Sequence, residues 1–348
     1  MATFLKHSKL IISTDLAAPA TDENVPDNLD EGPEEGADHE LRACSVPQSG
    51  HGQRLDRVLA ELIPEFSRSY LQQQIEAERV SLNGSVVIKP SLKLRAGDQL
   101  LVELRPTPQT QAFKPQAMPL DVVYEDEHLL VLNKPAGLVV HPAPGNWSGT
   151  LLNGLLARDP AAVMLPRAGI VHRLDKDTSG LMVVARSRTA MDLLVQKIAA
   201  REVRRQYLAL AHRPWVGPKQ RQVDAAIGRD PRNRLRMAVV DLMRQSGKTA
   251  STGIRLLDSN ADACLVECTL QTGRTHQIRV HMTSIGHSLL ADSVYGGTPA
   301  AGMTRQALHA FRLAFLHPVT GQALEWVSPL PDDMAAAVQA LGLSYNRA

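Results

Sequence analysis

One segment limits what this chain can fold into more than any other. It is RPTPQTQAFKPQAMP (105–119), which carries Pro106, Pro108, Pro115 and Pro119. Proline fixes φ and has no N–H to donate, so a helix cannot pass through such a stretch and a central strand would lose its ladder bonds. Residues 106–119 therefore read as a Pro-rich, semi-extended linker. A chain of 348 residues interrupted there holds a small unit before the linker and a larger one after it. With 44% apolar residues, both sides have material for a core.

The formal net charge is only +2, but it is unevenly spread. Residues 1–41 carry ten acids against Lys6 and Lys9, and the remainder holds 36 basic and 26 acidic residues, a surplus of +10. That balance suits a polyanion partner such as nucleic acid. Residues 1–45 show no periodicity and are rich in Asp, Glu, Pro, Gly and Asn, so they are expected to form an acidic disordered tail. The apolar stretch Leu10-Ile11-Ile12 is too short for a signal peptide, and transit peptides are acid-poor. No apolar run approaches the roughly 18–20 residues of a membrane helix. Cys44, Cys264 and Cys268 support neither a disulfide framework nor a CxxC zinc site. The expectation is a cytoplasmic monomer with no membrane partner and no metal.

Between 50 and 105 the pattern is that of a small α+β module. Leu55, Val58, Leu59 and Leu62 share one helical face, and Ser67 or Ser69 can cap a second helix. VSLNGSVVIK (80–89) alternates around Asn83-Gly84, a hairpin signal, and another strand follows within 93–104. Over 120–345, strand-like runs fall at 121–125, 129–133, 181–185, 207–211, 252–257, 264–270 and 308–316. Helices are expected near 150–158, 188–200, 275–285 and 333–342. The irregular interleaving points to an α+β domain on a mixed, mainly antiparallel sheet.

Three segments of the larger unit concentrate reactive side chains. HRLDKDTSG (172–180) packs an imidazole, two cations and two carboxylates ahead of the apolar strand LMVVA, with a turn expected at Ser179-Gly180. It is either a charged surface loop or a loop presenting reactive groups from a rigid scaffold. In an extended stretch Asp175 and Asp177 point to opposite sides. In TGRTHQIRVHM (272–282) Thr275 opens a helix with Ile278 and Met282 four apart, so Arg274, His276, Arg279 and His281 cannot all face the core, and several line either a polar site or solvent; the five-residue spacing of the histidines is poor for zinc. RDPRNRLRM (229–237) holds Arg229, Arg232, Arg234 and Arg236, a candidate phosphate contact.

Taken with YEDEHLLVLNKPAGLVVHP (124–142), RAGIVHRLDKDTSGLMVVAR (167–186) and QALHAFRLAFLHPVTG (306–321), these segments resemble the ribosomal large-subunit pseudouridine synthases over about 52–335. Within them the chain is most like the D subgroup, which acts on the helix 69 stem-loop of 23S rRNA. SRSYLQQQIEAERVSLNG (67–84) resembles the S4-type RNA-binding domain, making Arg54, Arg68 and Arg79 the implied contacts.

The resemblance implies conversion of uridine to pseudouridine with no cofactor, and a partner that is 23S ribosomal RNA or the assembling large ribosomal subunit. It also leaves open another rRNA or tRNA site, or a silent RNA-binding assembly protein. It assigns the essential aspartate to Asp175, acting at C1′ as nucleophile or at C2′ as base. It places Arg279 as the cation that holds Asp175 charged and oriented, and Tyr207 as the tyrosine that stacks on the flipped base. Arg173 would fill the space the nucleotide leaves, His172 would be a structural or RNA-facing neighbour, and Arg274 and His276 are further candidate RNA contacts. One departure is ADSVYGG (291–297) in place of GDPVYGG, from which altered loop stiffness and no lost chemistry are expected.

Overall fold

The computed structural model describes residues 40–104, 112–143, 145–233 and 236–345, and the chain divides between Arg105 and Pro106 into two compact units.

The first unit contains β1 (Glu40–Ser45), α1 (Leu55–Leu62), α2 (Arg68–Glu76), β2 (Val80–Leu82), β3 (Ser85–Val86) and β4 (Gln99–Leu104). Its strands form one antiparallel sheet in the order β1-β4-β2-β3. Leu55, Val58 and Leu59 of α1 pack with Leu71 and Ile75 of α2 on Val80, Leu100 and Val102. α2 begins where the Ser67 hydroxyl accepts the Tyr70 N–H at 3.2 Å, settling the choice of cap.

One boundary differs from the sequence reading. Residues 40–45, grouped there with the disordered tail, form β1, in register from Glu40 opposite Leu104 to Ser45 opposite Gln99. Its stability comes from a distant partner strand, which local composition cannot reveal. The rest of the expected tail, 1–39, lies outside the described residues, as do residue 105 and 106–111 of the linker. The linker's second half docks on the larger unit, where Asn153 Nδ2 donates to the carbonyl of Lys114 at 2.8 Å.

The second unit runs through β5 (Val122–Glu125), β6 (Leu129–Lys134), α3 (Leu151–Arg158), β7 (Ser179–Ala185), α4 (Arg188–Ala199), β8 (Arg204–His212) and β9 (Gln220–Asp224). It continues through β10 (Ile227–Arg229), β11 (Met237–Val239), β12 (Gly247–Lys248), β13 (Ser251–Ser259), β14 (Ala263–Leu270), α5 (Gln277–Ser284), β15 (Leu308–Leu316), β16 (Ala323–Val327) and α6 (Asp332–Ala340). The main sheet runs β5-β6-β7-β15-β8-β14-β13-β9, with β16 added on β15, and only β7 and β15 pair in parallel. The fold is α+β on a mixed, mainly antiparallel sheet.

Both faces of this sheet are covered, which is why β7 reads as an unbroken apolar run. Leu130, Leu132, Met182 and Val184 face α3 and α5, while Leu129, Val131, Leu181 and Val183 face α4. α6 covers Leu208 and Leu210 on the same side as α4. The segment 220–248, not assigned to strands from sequence, forms β9 and the small antiparallel sheet β11-β10-β12.

Candidate active site

The segment 172–178 leads into the buried start of β7. Ser179 and Gly180 are already part of that strand, so the expected turn lies earlier, where the Thr178 N–H donates to the Asp175 carbonyl at 3.2 Å. Gly180 has φ +116, and a Cβ there would lie 2.2 Å from the Ala310 carbonyl oxygen. Only glycine lets β7 and β15 run together at this point, which fixes where the loop ends.

Three side chains tie the loop down. Lys134 is fully buried and donates to the carbonyls of Pro135, Leu138 and Lys176 at 2.8, 2.9 and 2.9 Å. Those acceptors use all three protons of the ammonium, although burial pulls the amine down to about 7 against the charges of Asp177 and Asp175. Arg305 donates to the Asp177 carbonyl at 2.9 Å and pairs with Asp333. His172 Nε2 accepts the Val183 N–H at 3.1 Å.

Asp175 emerges from this frame beside α5. Its Oδ2 accepts from Arg279 Nη1 at 3.1 Å, and its Oδ1 lies 3.8 Å from His276 Nε2. The other edge of the Arg279 guanidinium donates twice to Asp292, at 2.7 and 2.8 Å. Arg279 is 5% exposed and Asp292 1%, so this bidentate pair is a buried anchor that leaves Nη1 to donate to Asp175. The Tyr295 ring lies 5.0 Å from the Arg279 guanidinium carbon, and its hydroxyl is 2.8 Å from His276 Nδ1. That hydroxyl also accepts the Met237 N–H, and so ties the imidazole to the β10–β11 hairpin. Burial lowers the His276 pKa, against the raising charge of Asp175.

These groups line one cleft of about 770 Å³, into which Asp175, Tyr207, Arg279, Arg173, Arg274 and His276 all project, with His172 in its wall. Asp175 is the one carboxylate among the described lining residues, and Asp177 is not part of the lining. Tyr207, on β8, is buried, and burial pushes its phenol up to about 12, so it is a proton-bearing ring and not a phenolate at neutral pH. Burial and the nearby Arg205 charge drive His172 down to about 3, so it is a neutral imidazole that braces β7, one of the two roles expected of it. Arg274 Nε donates to the Thr249 carbonyl at 3.0 Å. His281 is fully enclosed between Thr252 and the Ala225 carbonyl, which occupies both ring nitrogens. No group of three potential metal ligands converges among the described residues.

The remaining candidates lie elsewhere. Arg229, Arg232 and Arg236 belong to the β10–β11 hairpin, where Asp230 accepts from the Arg232 N–H at 2.9 Å and from Arg236 Nε at 2.6 Å; Arg234 lies outside the described residues. In the first unit, the buried Asp56 carboxylate accepts from Arg54, Arg68 and Gln72. Burial alone would raise its pKa, yet those donors hold it well below the usual carboxylate range. Arg54 and Arg68 are thus arranged on one internal anion, while Arg79 Nη1 donates to Gln74 at 3.0 Å.

Sequence reasoning missed Asp292, Lys134, Tyr295 and Arg205. Asp292 and Tyr295 both lie within ADSVYGG (291–297), where the pattern by itself gives no sign of their link to Arg279. Ala291 in that loop has φ +57, a conformation that glycine adopts freely and alanine does not.

The chain matches a family model described as RNA pseudouridylate synthase over residues 128–284 and an S4 domain model over 53–100. A protein of Neisseria meningitidis serogroup B called ribosomal large subunit pseudouridine synthase D is 47% identical over 310 residues, spanning 86% of this chain and 81% of that protein. One of the same description from Xylella fastidiosa is 48% identical over 313 residues, spanning 86% and 92%. Among solved structures, human RNA pseudouridylate synthase domain containing 4 superposes with a TM-score of 0.51 at 25% identity, covering 65% of this chain and 95% of that one.

Proposed function

The chain belongs to the ribosomal large-subunit pseudouridine synthases, and on that premise we propose that it isomerises uridine in the helix 69 stem-loop of 23S rRNA, with Asp175 as the catalytic carboxylate. The observation that carries this reading is the lone cleft carboxylate, held by an arginine that is itself locked to a second, buried aspartate. The reaction breaks the N1–C1′ bond, turns the uracil and forms C5–C1′; a proton leaves C5 and one is gained at N1, so no electrons are exchanged. Asp175 serves as the attacking oxygen at C1′ or as the base at C2′, and both routes need a carboxylate fixed in direction. Arg279 supplies that direction. Tyr207, keeping its proton, offers a flat ring to the extruded uracil and an O–H toward the base. Arg173, exposed beside Asp175, is suited to enter the stack the uridine vacates.

Extruding a stacked uridine costs a few kcal/mol, and phosphate contacts from the first unit's Arg54 and Arg68 and from the β10–β11 hairpin are the groups we assign to offset it. The partner is then 23S rRNA, free or in the assembling large subunit, in the cytoplasm. No described helix is long and apolar enough to cross a membrane.

The test is pseudouridine mapping by carbodiimide labelling and primer extension on unmodified 23S rRNA treated with wild-type protein or Asp175→Asn. Stops in the helix 69 loop with wild type alone are expected. Stops elsewhere would move the substrate, and an active Asp175→Asn protein would overturn the assignment of the carboxylate.

A further inference from the structure

Arg205 stands on β8 two residues before Tyr207, in the wall of the same cleft. Its neighbour Arg204 is exposed, but Arg205 is only 6% exposed. Its Nε is buried without a hydrogen-bond partner, and among the described residues it forms no ion pair with any carboxylate. The contrast with Arg279, equally buried, is direct: that guanidinium has Asp292 and Asp175. Asp175, the one carboxylate among the described residues that line the cleft, is already held by Arg279. Burying a guanidinium without a counter-charge is costly, so a chain that keeps one in a cleft wall has left room for an anion from outside.

Gly273 maintains that room. A Cβ at this position would lie 2.9 Å from Arg205 Nη1, so the glycine backbone allows the guanidinium to approach the segment that leads to α5. Any side chain there would press on the cation itself.

We propose that Arg205 is an internal phosphate site: a phosphodiester flanking the target nucleotide enters the cleft and pairs with its guanidinium. This rests on the RNA-modifying reading above. A nucleotide swung out of a helix draws its own 5′ and 3′ phosphates toward the opening it enters. The fork of an arginine matches two oxygens of a phosphodiester, a recognition that a solvated surface lysine does not provide. The site is specific for the backbone and blind to the base, so it positions the nucleotide while Asp175 and Tyr207 meet the sugar and the uracil.

The experiment uses full-length protein and a helix 69 stem-loop RNA, unmodified or with a single neutral methylphosphonate at each phosphate flanking the target. RNA affinity and single-turnover pseudouridine formation are read in parallel for wild type, Arg205→Met and Gly273→Ala. One methylphosphonate is expected to weaken wild-type binding about tenfold and to leave Arg205→Met unaffected, because the contact is already gone. Arg205→Met should also flatten the slope of log affinity against log salt by about 0.7, the signature of one lost phosphate contact and not of general disorder. Gly273→Ala, which keeps the charge and displaces only the guanidinium, should shrink the methylphosphonate penalty, and it decides the matter if Arg205→Met does not fold. Equal penalties in all three proteins, or an unchanged salt slope, would overturn the site. Coupling in binding without any pseudouridine formed by wild type would uphold the phosphate site and overturn the substrate reading instead.

Discussion

Asp292→Asn removes the charge that locks Arg279 while keeping the side chain's size. The pair is buried and bidentate, at 2.7 and 2.8 Å. Removing one member of such a pair costs about 3–5 kcal/mol, because the other is left as an uncompensated buried charge. Arg279 retains Asp175 at 3.1 Å, which puts the cost near the lower end. At about 3 kcal/mol, and about 2–4 °C per kcal/mol for a unit of this size, the larger unit should melt about 6–12 °C lower. The catalytic effect has a separate origin. Freed from Asp292, the guanidinium moves with the α5 side-chain rotamers, and Asp175 loses its fixed direction; a displacement on the order of 1 Å costs about a hundredfold in rate. RNA affinity should hold, since Asp292 is enclosed. Calorimetry together with single-turnover rates at saturating protein provides the check. A melting point lowered by less than about 2 °C with a rate within about threefold of wild type would refute both the buried-charge reasoning and the positioning role of Arg279.

Other consequences follow from strain, titration and the corrected boundary. Ala291→Gly relieves a left-handed backbone at φ +57 at the loss of one buried methyl, and should raise the melting point by a few degrees, for a net gain of about 1 kcal/mol; a lower melting point would show that the loop is not strained. His172 titrates near 6.5 when unfolded and at about 3 when folded, so between those values the unfolded chain binds a proton the native state refuses. Stability should therefore fall as pH drops from 6.5 toward 3, by about 1.4 kcal/mol per pH unit for this group. His141 and His309, each lowered by burial to about 4, act in the same direction. Urea midpoints at pH 7 and pH 5 should converge in His172→Gln, and equal acid sensitivity would exclude His172 as a source. Deleting residues 1–39 should leave the first unit folded and RNA binding unchanged or slightly stronger at low salt, whereas deleting 1–45 strips β1 from β4 and should produce an early melting transition. Identical melts for the two deletions would show that β1 contributes nothing.

Elements whose signal is local were legible from the sequence. α1 announced itself by one apolar face, β7 by its apolar run, and the first hairpin by Asn83-Gly84. Asp175, Tyr207 and Arg279 were named through resemblance, and the fold brings them to one cleft. Elements that depend on distant partners were not legible. β1 is a strand only because β4 lies beside it, and β9 only because β13 does. Asp292 carries no mark of its role in a string of letters: its meaning comes from Arg279, thirteen residues away and on another element. Lys134 reads as an ordinary surface lysine after a strand, and only its three carbonyl acceptors show that it is interior.

The site's two tasks rest on different physical footing, and backbone strain marks the division. His276, just ahead of Arg279 on the chain, and Ala291, just ahead of Asp292, both hold φ near +56, where non-glycine residues are rarely found. Both flank the one buried ion pair that aims at Asp175, and strain of this kind persists only where the surroundings over-determine the conformation. Around this pair the surroundings do so: Tyr295 contacts both Arg279 and His276, and the Gln277 amide bonds the Ser251 carbonyl and the Thr252 hydroxyl at 3.0 and 2.9 Å. Among the groups assigned to the RNA backbone, by contrast, Arg232 is an exposed side chain, free to adapt to a flexible polyanion. Arg205 belongs to neither set, being buried like the catalytic groups and unpaired as a phosphate ligand must be. It is therefore the residue at which gripping the RNA and aligning the uridine become one event.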